Sequence, residues 1–522
     1  MPLFAAPPVE SPASRLVLPL GVCICLWLGF GHPLPLLPPA LPPLVLLVPP
    51  LLALMGWRAA STGAAFRRGW LSAWAGHLLA LYWLCLPIRE VGGLPWVLAV
   101  ACAAFVALCL SSAGGLFAAA AHLLRRRSPI VLALSLGLIW YLLEWGYAVV
   151  AGFPWLPLSG ALAAWPLLIQ PADLMGGYLL AGLWAAMLLL LFQLPQGRRY
   201  GLLALALMAA CLGYGGWRLA GEPAEALPEG PGSFAVLLAE GNIDQKQKWL
   251  PAFQRATVQT YLRLTAGMLA AHPGEHPLII WPETAMPFRF TPENPLTRQV
   301  RELAVQAQAP LLTGAPGFEG SGEAMRVYNR AYLIAPDGDL AGYYDKEHLV
   351  PFGEYVPEWL QWNFLSGLLQ EVGVYTPGEQ RQTAPLRSSG LELGMLICYE
   401  GIFPWLAQQR VRDGANVLAD ISNDGWFGRS PAGRQHLYLT AVRAVEQNRW
   451  ILRGTNTGIS AIIDPRGRIV LRGGQFEETA RWGRARVLTA TTPYHALAPW
   501  LPPGAALLLL ALIVFGPVRR NV

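Results

Sequence analysis

Long apolar stretches fill the chain up to about residue 220 and again from about residue 496, and a more polar block lies between them. Crossing a bilayer takes roughly 20 mainly apolar residues. Seven segments meet that requirement before the polar block, at about 14–31, 37–57, 68–88, 96–124, 129–151, 177–194 and 200–219; an eighth runs from about 496 to 518. The first has little positive charge before it and no small-residue cleavage site, so it reads as a retained helix rather than a signal peptide. The second carries Pro38, Pro39, Pro42, Pro43, Pro49 and Pro50, which predict kinks and displaced ends. Inside the polar block the period shortens. Strands are predicted at Phe234–Leu238, Pro277–Trp281, Pro310–Thr313, Tyr328–Ile334, Leu391–Ile397, Asn416–Ile421, Ile451–Gly454 and Ser460–Asp464, and helices at about 251–271, 293–308, 402–412 and 431–448. Strands alternating with helices predict an α/β layered domain. The expected organisation is therefore helices one to seven over 1–219, a linker over 220–233, a folded domain over 234–490, and a last membrane helix with its tail over 491–522.

Arginine clusters orient these segments. Arg58, Arg67 and Arg68 follow the second segment, Arg125, Arg126 and Arg127 the fourth, Arg198 and Arg199 the sixth, and Arg519 and Arg520 the eighth. Positive charge is retained on the cytoplasmic side. Placing these clusters there puts Arg15 and both termini in the cytoplasm and the polar block on the extracytoplasmic side. The pattern thus predicts a polytopic α-helical membrane protein of about eight spans with an extracytoplasmic α/β domain.

Composition agrees with the membrane reading: 54% of residues are hydrophobic, 13% are charged, and there are 21 tryptophans. The formal charge of +6 is distributed as arginine clusters between apolar runs rather than as a basic face, so nucleic acid is not an expected partner. Three polar residues lie in or beside the spans, His77, Glu144 and Asp173. Glu144 sits among Trp140, Tyr141, Trp145 and Tyr147, which favours a hydrogen-bonded structural role over catalysis. Nothing resembles the paired, interrupted helices of a transporter, and no sequence repeat is visible.

Of the seven cysteines, only Cys398 lies outside the apolar segments. No Cys–Cys pair or Cys/His cluster with ligand spacing marks a metal site, and no nucleotide motif occurs, so no cofactor is expected. Cys398 ends an apolar run, Leu391–Ile397, and a helix-like segment follows from Pro404. Such a turn presents a side chain at the lip of a sheet, where backbone N–H groups of the next helix would favour negative charge on sulfur. The residue is either buried filler or a nucleophile. Two other polar motifs end apolar runs: Glu283 in Leu278–Ala285, and Lys346 in Tyr343–Glu354. An acyl-transfer site built on cysteine needs a base for the thiol proton and a cation or N–H donors for the tetrahedral oxyanion. Glu, Lys and Cys supply those parts. Taken singly, Glu283 reads as a solvated loop carboxylate and Lys346 as an exposed ion-pair partner of Asp345 or Glu347.

Together, and in this order, the Glu283, Lys346 and Cys398 motifs resemble the carbon–nitrogen hydrolase (nitrilase) superfamily. That resemblance implies a Glu–Lys–Cys triad on an αββα sandwich. The run Asp345-Lys346-Glu347-His348-Leu349-Val350-Pro351-Phe352-Gly353-Glu354-Tyr355-Val356-Pro357 and the later Ser422-Asn423-Asp424-Gly425-Trp426-Phe427 are more specifically similar to the bacterial apolipoprotein N-acyltransferase family, as is the arrangement of spans around the domain. The resemblance implies that Cys398 attacks a phospholipid ester to form a thioester, that Glu283 acts as base and that Lys346 stabilises the oxyanion. It further implies that Glu354 is an essential carboxylate, that Tyr399 and Glu400 flank the nucleophile, that Trp249 is a substrate-side aromatic, and that Asn329 belongs to the site. The acceptor would be the N-terminal amine of a diacylglyceryl-cysteine on an apolipoprotein, the enzyme a monomer in the bacterial inner membrane, and the catalytic domain periplasmic. The apolar stretch 357–369 suits an interfacial lid where acyl chains enter, or a core helix of the sandwich. Two other functions fit the same residues: a membrane-tethered amidase, and a transporter or scaffold with an inert nitrilase-like domain.

Overall fold

The structure is a computed structural model and describes residues 12–34, 37–90, 92–220, 230–355, 375–379 and 384–519; the 357–369 stretch and most of the 220–233 linker lie outside the described residues. The chain divides into two compact units. One comprises Met1–Cys85, Val97–Gly221 and Thr492–Val522, and the other Leu86–Trp96 and Glu222–Thr491.

The first unit is helical. Among the described residues four helices are long and apolar enough to cross a membrane: Trp96–Leu124, Pro129–Ala151, Ala172–Leu191 and Arg198–Leu219. A fifth is added if the bent pair Thr62–Ala80 and Tyr82–Glu90 is one span, so the apolar run at 68–88 is broken rather than continuous. Three more apolar helices, Leu16–Phe30, Pro42–Arg58 and Leu501–Phe515, are shorter. As the prolines predict, the second segment is irregular: a 3₁₀ turn at Pro42–Leu47 precedes the α-helix Val48–Arg58, whose second and third residues are Pro49 and Pro50. Packing relies on small residues. Along Trp96–Leu124 the buried positions include Ala99, Ala103, Ala107, Ser111, Gly114, Ala118 and Ala121. A Cβ on Gly69 would lie 2.5 Å from the Gly114 carbonyl oxygen, so only glycine permits this approach of two helix backbones. The polar residues are engaged by hydrogen bonds. Glu144 Oε1 accepts from Trp140 Nε1 at 2.8 Å and from the Leu158 N–H at 2.9 Å. His77 Nδ1 lies 2.8 Å from Ser111 Oγ, and Asp173 accepts from the Tyr214 hydroxyl at 2.7 Å and forms an ion pair with Arg218 at 3.2 Å.

Among the described residues the second unit contains two six-stranded sheets. In chain order the strands are β1 (Ser233–Glu240), β2 (Leu278–Ile280), β3 (Leu311–Glu319), β4 (Arg326–Ile334), β5 (Leu340–Asp345), β6 (Leu386–Ser388), β7 (Leu391–Ile397), β8 (Val417–Ser422), β9 (Ile451–Thr455), β10 (Ala461–Ile463), β11 (Ile469–Arg472) and β12 (Thr479–Arg486). The sheet orders are β12-β1-β2-β3-β4-β5 and β6-β7-β8-β9-β10-β11. Each has one antiparallel pair, two parallel pairs and two antiparallel pairs in that sequence. The two halves therefore repeat one topology although no repeat is visible in the sequence, and the last strand fills in the first sheet the place that β6 fills in the second.

Alternation along the strands makes the layers. Val236 and Leu238 of β1 join Leu393, Met395, Ala419, Ile421 and Leu452 in the core between the sheets. Leu237 and Ala239 face the other way, against Val258 and Tyr261 of α1 (Pro251–Ala271) and Val300 and Leu303 of α2 (Pro295–Ala307). On the second sheet α3 (Pro404–Arg412) packs on β7 and α4 (Ala432–Gln447) on β9. With both faces covered, strands read as nearly continuous apolar runs. All four helices lie within about two residues of their predicted bounds. Strands β5, β6, β11 and β12 were not predicted. β12 is an edge strand whose arginines interrupt the alternation, a common way of protecting an unpaired edge.

Charge is also buried in the second sheet. Arg453 on β9 is fully buried and pairs with Asp420 on β8 and, at 3.0 Å, with Asp424; His436 Nδ1 of α4 sits 3.1 Å from Asp424. Removing one partner from a buried pair leaves an uncompensated charge, which costs about 3–5 kcal/mol. Arg453→Met therefore lowers the thermal unfolding midpoint of the full chain in detergent clearly below that of wild type. An unchanged midpoint in a fluorescence melt contradicts this account of the interior.

Candidate active site

The parallel strands all deliver their following residues to one end of the sandwich, where α/β sheets place their chemistry. Glu283 comes three residues after β2, Lys346 directly after β5, and Cys398 directly after β7. The backbone there is under constraint. Cys398 has φ 55°, Thr284 φ 50° and Phe352 φ 62°, left-handed values that non-glycine residues rarely adopt.

Four of the expected residues form one hydrogen-bonded cluster. Asn329, on the inner face of β4, donates through Nδ2 to Glu283 Oε1 at 2.6 Å and to Glu354 Oε1 at 2.7 Å. Lys346 Nζ lies 2.9 Å from Glu354 Oε1, 2.8 Å from its Oε2, and 3.9 Å from Glu283 Oε1. The Val350 N–H adds a fourth bond to Glu354, at 2.8 Å to Oε2. Glu354 is thus saturated. Glu283 is not: its Oε2 is buried and has no hydrogen-bond partner among the described residues. The two carboxylates share their donors unequally, and only Glu283 has a bare oxygen that can take a proton.

Electrostatics follow the same division. Burial works against the Lys346 ammonium, but Glu354 and Glu283 outweigh it and hold its pKa well above the usual lysine range. Burial raises the Glu283 carboxyl, Lys346 opposes, and Glu354 raises it further; the net displacement is upward, towards the range of a base. Cys398 is 8% exposed. Burial pushes its thiol well above the ordinary value, Glu283 adds to that, and Lys346 pulls the other way. The expected lowering by N–H groups of the following helix is therefore outweighed by burial, and the thiol stays protonated until a base acts.

Glu400 and Tyr399 have different places. Glu400, fully buried, accepts from the Tyr344 hydroxyl and the Glu347 N–H at 2.8 Å, the His348 N–H at 3.0 Å and the Ile397 N–H at 2.8 Å. It clamps the Lys346 loop to the Cys398 turn. Tyr399 stacks against His348 with ring centroids 5.8 Å apart and meets Phe403 edge-on. Trp249 is 42% exposed, and no hydrogen bond joins it to the cluster among the described residues. Its neighbour Lys248 points inward instead, with Nζ 3.2 Å from the Glu283 carbonyl oxygen. Sequence reasoning missed Lys248 because Gln245-Lys246-Gln247-Lys248 reads as a solvated charge run. It also missed His436, whose Nε2 lies 3.1 Å from the Cys398 carbonyl oxygen; the histidine sits mid-helix without a motif around it.

These groups can take a thiol proton, hold a developing oxyanion beside an ammonium, and carry an acyl group on sulfur. Because the Lys346 charge lowers the Cys398 pKa, Lys346→Met raises it. Each unit of that rise cuts the thiolate fraction tenfold, so iodoacetamide labelling of Cys398 at pH 8 slows by about tenfold or more. Mass spectrometry of the labelled peptide checks this, and wild-type labelling rates in the variant refute it.

Comparison with known proteins covers both units. Residues 23–191 match the family model described as apolipoprotein N-acyltransferase N-terminal domain, and residues 245–500 match the carbon-nitrogen hydrolase model. An apolipoprotein N-acyltransferase of Geobacter metallireducens is 38% identical over 436 residues, 81% of this chain and 81% of that protein. The protein of that name in Pseudomonas paraeruginosa is 32% identical over 525 residues, 95% of this chain and 96% of that one. A putative apolipoprotein N-acyltransferase of Bordetella parapertussis is 34% identical over 535 residues, 93% of this chain and 95% of that one. With matches at this identity across both units, the chain belongs to the apolipoprotein N-acyltransferase family and is an acyltransferase with a carbon–nitrogen hydrolase domain.

Proposed function

We propose that the protein transfers a fatty acyl chain from a membrane phospholipid, through a thioester on Cys398, to the N-terminal amine of an S-diacylglyceryl-cysteine on an apolipoprotein. The observation that carries this reading is the unequal pair of carboxylates: Glu354 is saturated, whereas Glu283, 3.9 Å from the Lys346 ammonium and electrostatically coupled to the Cys398 thiol, keeps a buried oxygen with no hydrogen-bond partner among the described residues. In the first half-reaction Glu283 takes the Cys398 proton as sulfur attacks the ester carbonyl, and Lys346 faces the oxyanion. Collapse breaks the ester C–O bond, and Glu283 returns the proton to the departing glycerol oxygen, releasing a lysophospholipid. In the second, the amine attacks the thioester and gives a proton to Glu283. Collapse expels the Cys398 thiolate, which regains that proton, and the N-acyl peptide leaves. Asn329 and Glu354 hold Glu283 and Lys346 in place, while Glu400 and Tyr399 hold the nucleophile turn. Trp249 is a substrate-side aromatic at the surface. On this reading no metal or cofactor is needed, residues 234–490 form the catalytic domain, and the chain acts as a monomer.

The topology belongs to the same proposal. Eight spans, with both termini cytoplasmic and the catalytic domain periplasmic in a bacterial inner membrane, are supported by the alternation of arginine clusters along the sequence and by the apolar helices. A membrane-bound body suits a lipid donor and a lipidated acceptor. A tethered amidase would use the same triad with water in place of the amine, so the products separate the two readings.

Purified protein incubated with phospholipid is expected to gain one acyl mass on the Cys398 peptide, and a diacylglyceryl peptide added afterwards is expected to leave as its N-acyl form. The same adduct on Cys398→Ala, or free fatty acid as the main product, overturns the proposal. Loss of a positioned base costs typically 10²–10⁴-fold, so Glu283→Gln reduces acyl-enzyme formation by about that factor at a temperature where the variant is still folded.

A further inference from the structure

Lys248 closes the one-turn helix Gln245–Lys248, and it is 1% exposed. Burying an ammonium is costly unless charge or hydrogen bonds compensate it. Among the described residues no ion pair reaches Lys248; its Nζ donates to the main-chain carbonyl of Glu283 at 3.2 Å. An ammonium has three N–H donors, so this contact uses one of them. The side chains that follow, Trp249 and Leu250, are 42% and 50% exposed, so the chain turns its lysine inward and its apolar residues outward. That choice opposes simple hydrophobic sorting and asks for a reason.

The charges around Glu283 supply one. Lys346 stands closer to Glu354, at 2.8 Å, than to Glu283, at 3.9 Å, so its charge is mainly taken up by Glu354. Without a second cation, Glu283 would be a buried carboxylate with half a partner. Tyr375, whose N–H donates to the Glu354 carbonyl oxygen at 2.9 Å, has its phenol pushed up by burial. Counting Lys248, the four ionisable groups Glu283, Glu354, Lys346 and Lys248 sum to zero while the Cys398 thiol and the Tyr375 phenol are neutral. We propose that Lys248 is a positioning residue for Glu283: it fixes the main chain at the base and supplies the second cation that keeps the carboxylate ionised before thiol attack. The proposal rests on the acyl-transfer reading above for what that carboxylate does, but not for its protonation. The Lys248 charge draws the Glu283 carboxyl down against the upward push of burial and Glu354. Burial in turn pulls the Lys248 ammonium down to about 8, with Glu283 opposing, so the cation is present through neutral pH and is lost on the alkaline side. A neighbour of this kind acts on pH dependence and not on rate alone.

The test follows acyl-adduct formation on Cys398 in the full chain, in detergent micelles with dioleoyl phosphatidylethanolamine, from pH 5.5 to 9 by intact mass. For Lys248→Met the acid limb moves to higher pH. A displacement of one unit lowers the rate about tenfold at pH values below the limb, and the loss shrinks on the alkaline side, where wild type also sheds the Lys248 proton. Lys248→Arg keeps the charge and restores the wild-type limb. Lys248→Gln keeps a donor without charge, carries the same displacement as the methionine variant, and serves if that variant fails to fold. A loss of equal factor at every pH, or an unmoved limb, overturns the proposal and leaves Lys248 a packing residue. If wild type itself forms no adduct, the acyl-transfer reading fails separately. The infrared band of the protonated Glu283 carboxyl, assigned by its absence in Glu283→Gln, then decides for Lys248: it titrates at higher pH in Lys248→Met, or the proposal is wrong.

Discussion

The site depends on one buried carboxylate that does no chemistry in the proposed reaction. Glu400 accepts from Ile397 at the end of one sheet and from Tyr344, Glu347 and His348 at the end of the other. Lys346 and Cys398 reside on different sheets, so their spacing is set by whatever ties those sheets together at this end. Left-handed backbone at Cys398 costs about 1–3 kcal/mol, whereas hydrogen bonds to a charged group contribute about 1.5–3 kcal/mol each. Four such bonds exceed the strain and leave a margin against the desolvation of the carboxylate itself. Arg410 adds to the clamp, donating to the Tyr344 hydroxyl at 2.6 Å and pairing with Glu347 at 3.1 Å. The Cys398 turn is therefore held from beside by charge, while the apolar core between the sheets holds it from beneath.

Two carboxylates less than a hydrogen-bonded side chain apart must differ if one is to move a proton. Asn329 touches both, yet the remaining donors, Lys346 and the Val350 N–H, go preferentially to Glu354. That asymmetry originates in the chain. Val350 and Glu354 belong to the same short loop as Lys346, so Glu354 meets its donors locally, whereas Glu283 reaches the site from a separate strand. Local closure makes one carboxylate an anchor, and distance along the chain leaves the other free.

How much of this could be read in the sequence depends on the range of the interaction involved. Segments whose character is set by their own residues were legible: the apolar helices, the buried parallel strands and the four amphipathic helices all carry their period in the chain. Glu283, Lys346 and Cys398 were legible as polar residues ending apolar runs. The repeated topology was not, because the two halves share strand directions and layer order without sharing residues. β12 was hidden because Arg481, Arg484 and Arg486 break up the continuous apolar run that marks a strand covered on both faces. The pair Lys248 and Trp249 reverses the ordinary expectation of which side chain is buried, and it does so because the deciding partner, the Glu283 carbonyl, is 35 residues away. Glu400 read as a residue beside the nucleophile; that it binds the opposite sheet is a tertiary fact with no local signature.

Charge balance links these observations to a two-step reaction. On the proposed reading, the resting site holds Glu283 and Glu354 against Lys346 and Lys248, with the thiol neutral. Moving the thiol proton to Glu283 creates a thiolate and removes a carboxylate, so the sum does not change. Formation of the thioester returns the proton to the leaving oxygen, and the acylated site has the same charges as the resting one. In a buried site, where creating a net charge is costly, each step therefore shifts a proton between groups already present instead of adding charge. The same condition falls on the acceptor. An N-terminal ammonium would bring an unbalanced positive charge into a neutral, buried cluster and would compete with Lys346 and Lys248 for the carboxylates. A neutral amine brings none, and the proton it releases on attack has the Glu283 Oε2 position to enter. On the proposed reading, the arrangement that activates sulfur in the first half-reaction thus also favours the uncharged form of the acceptor in the second.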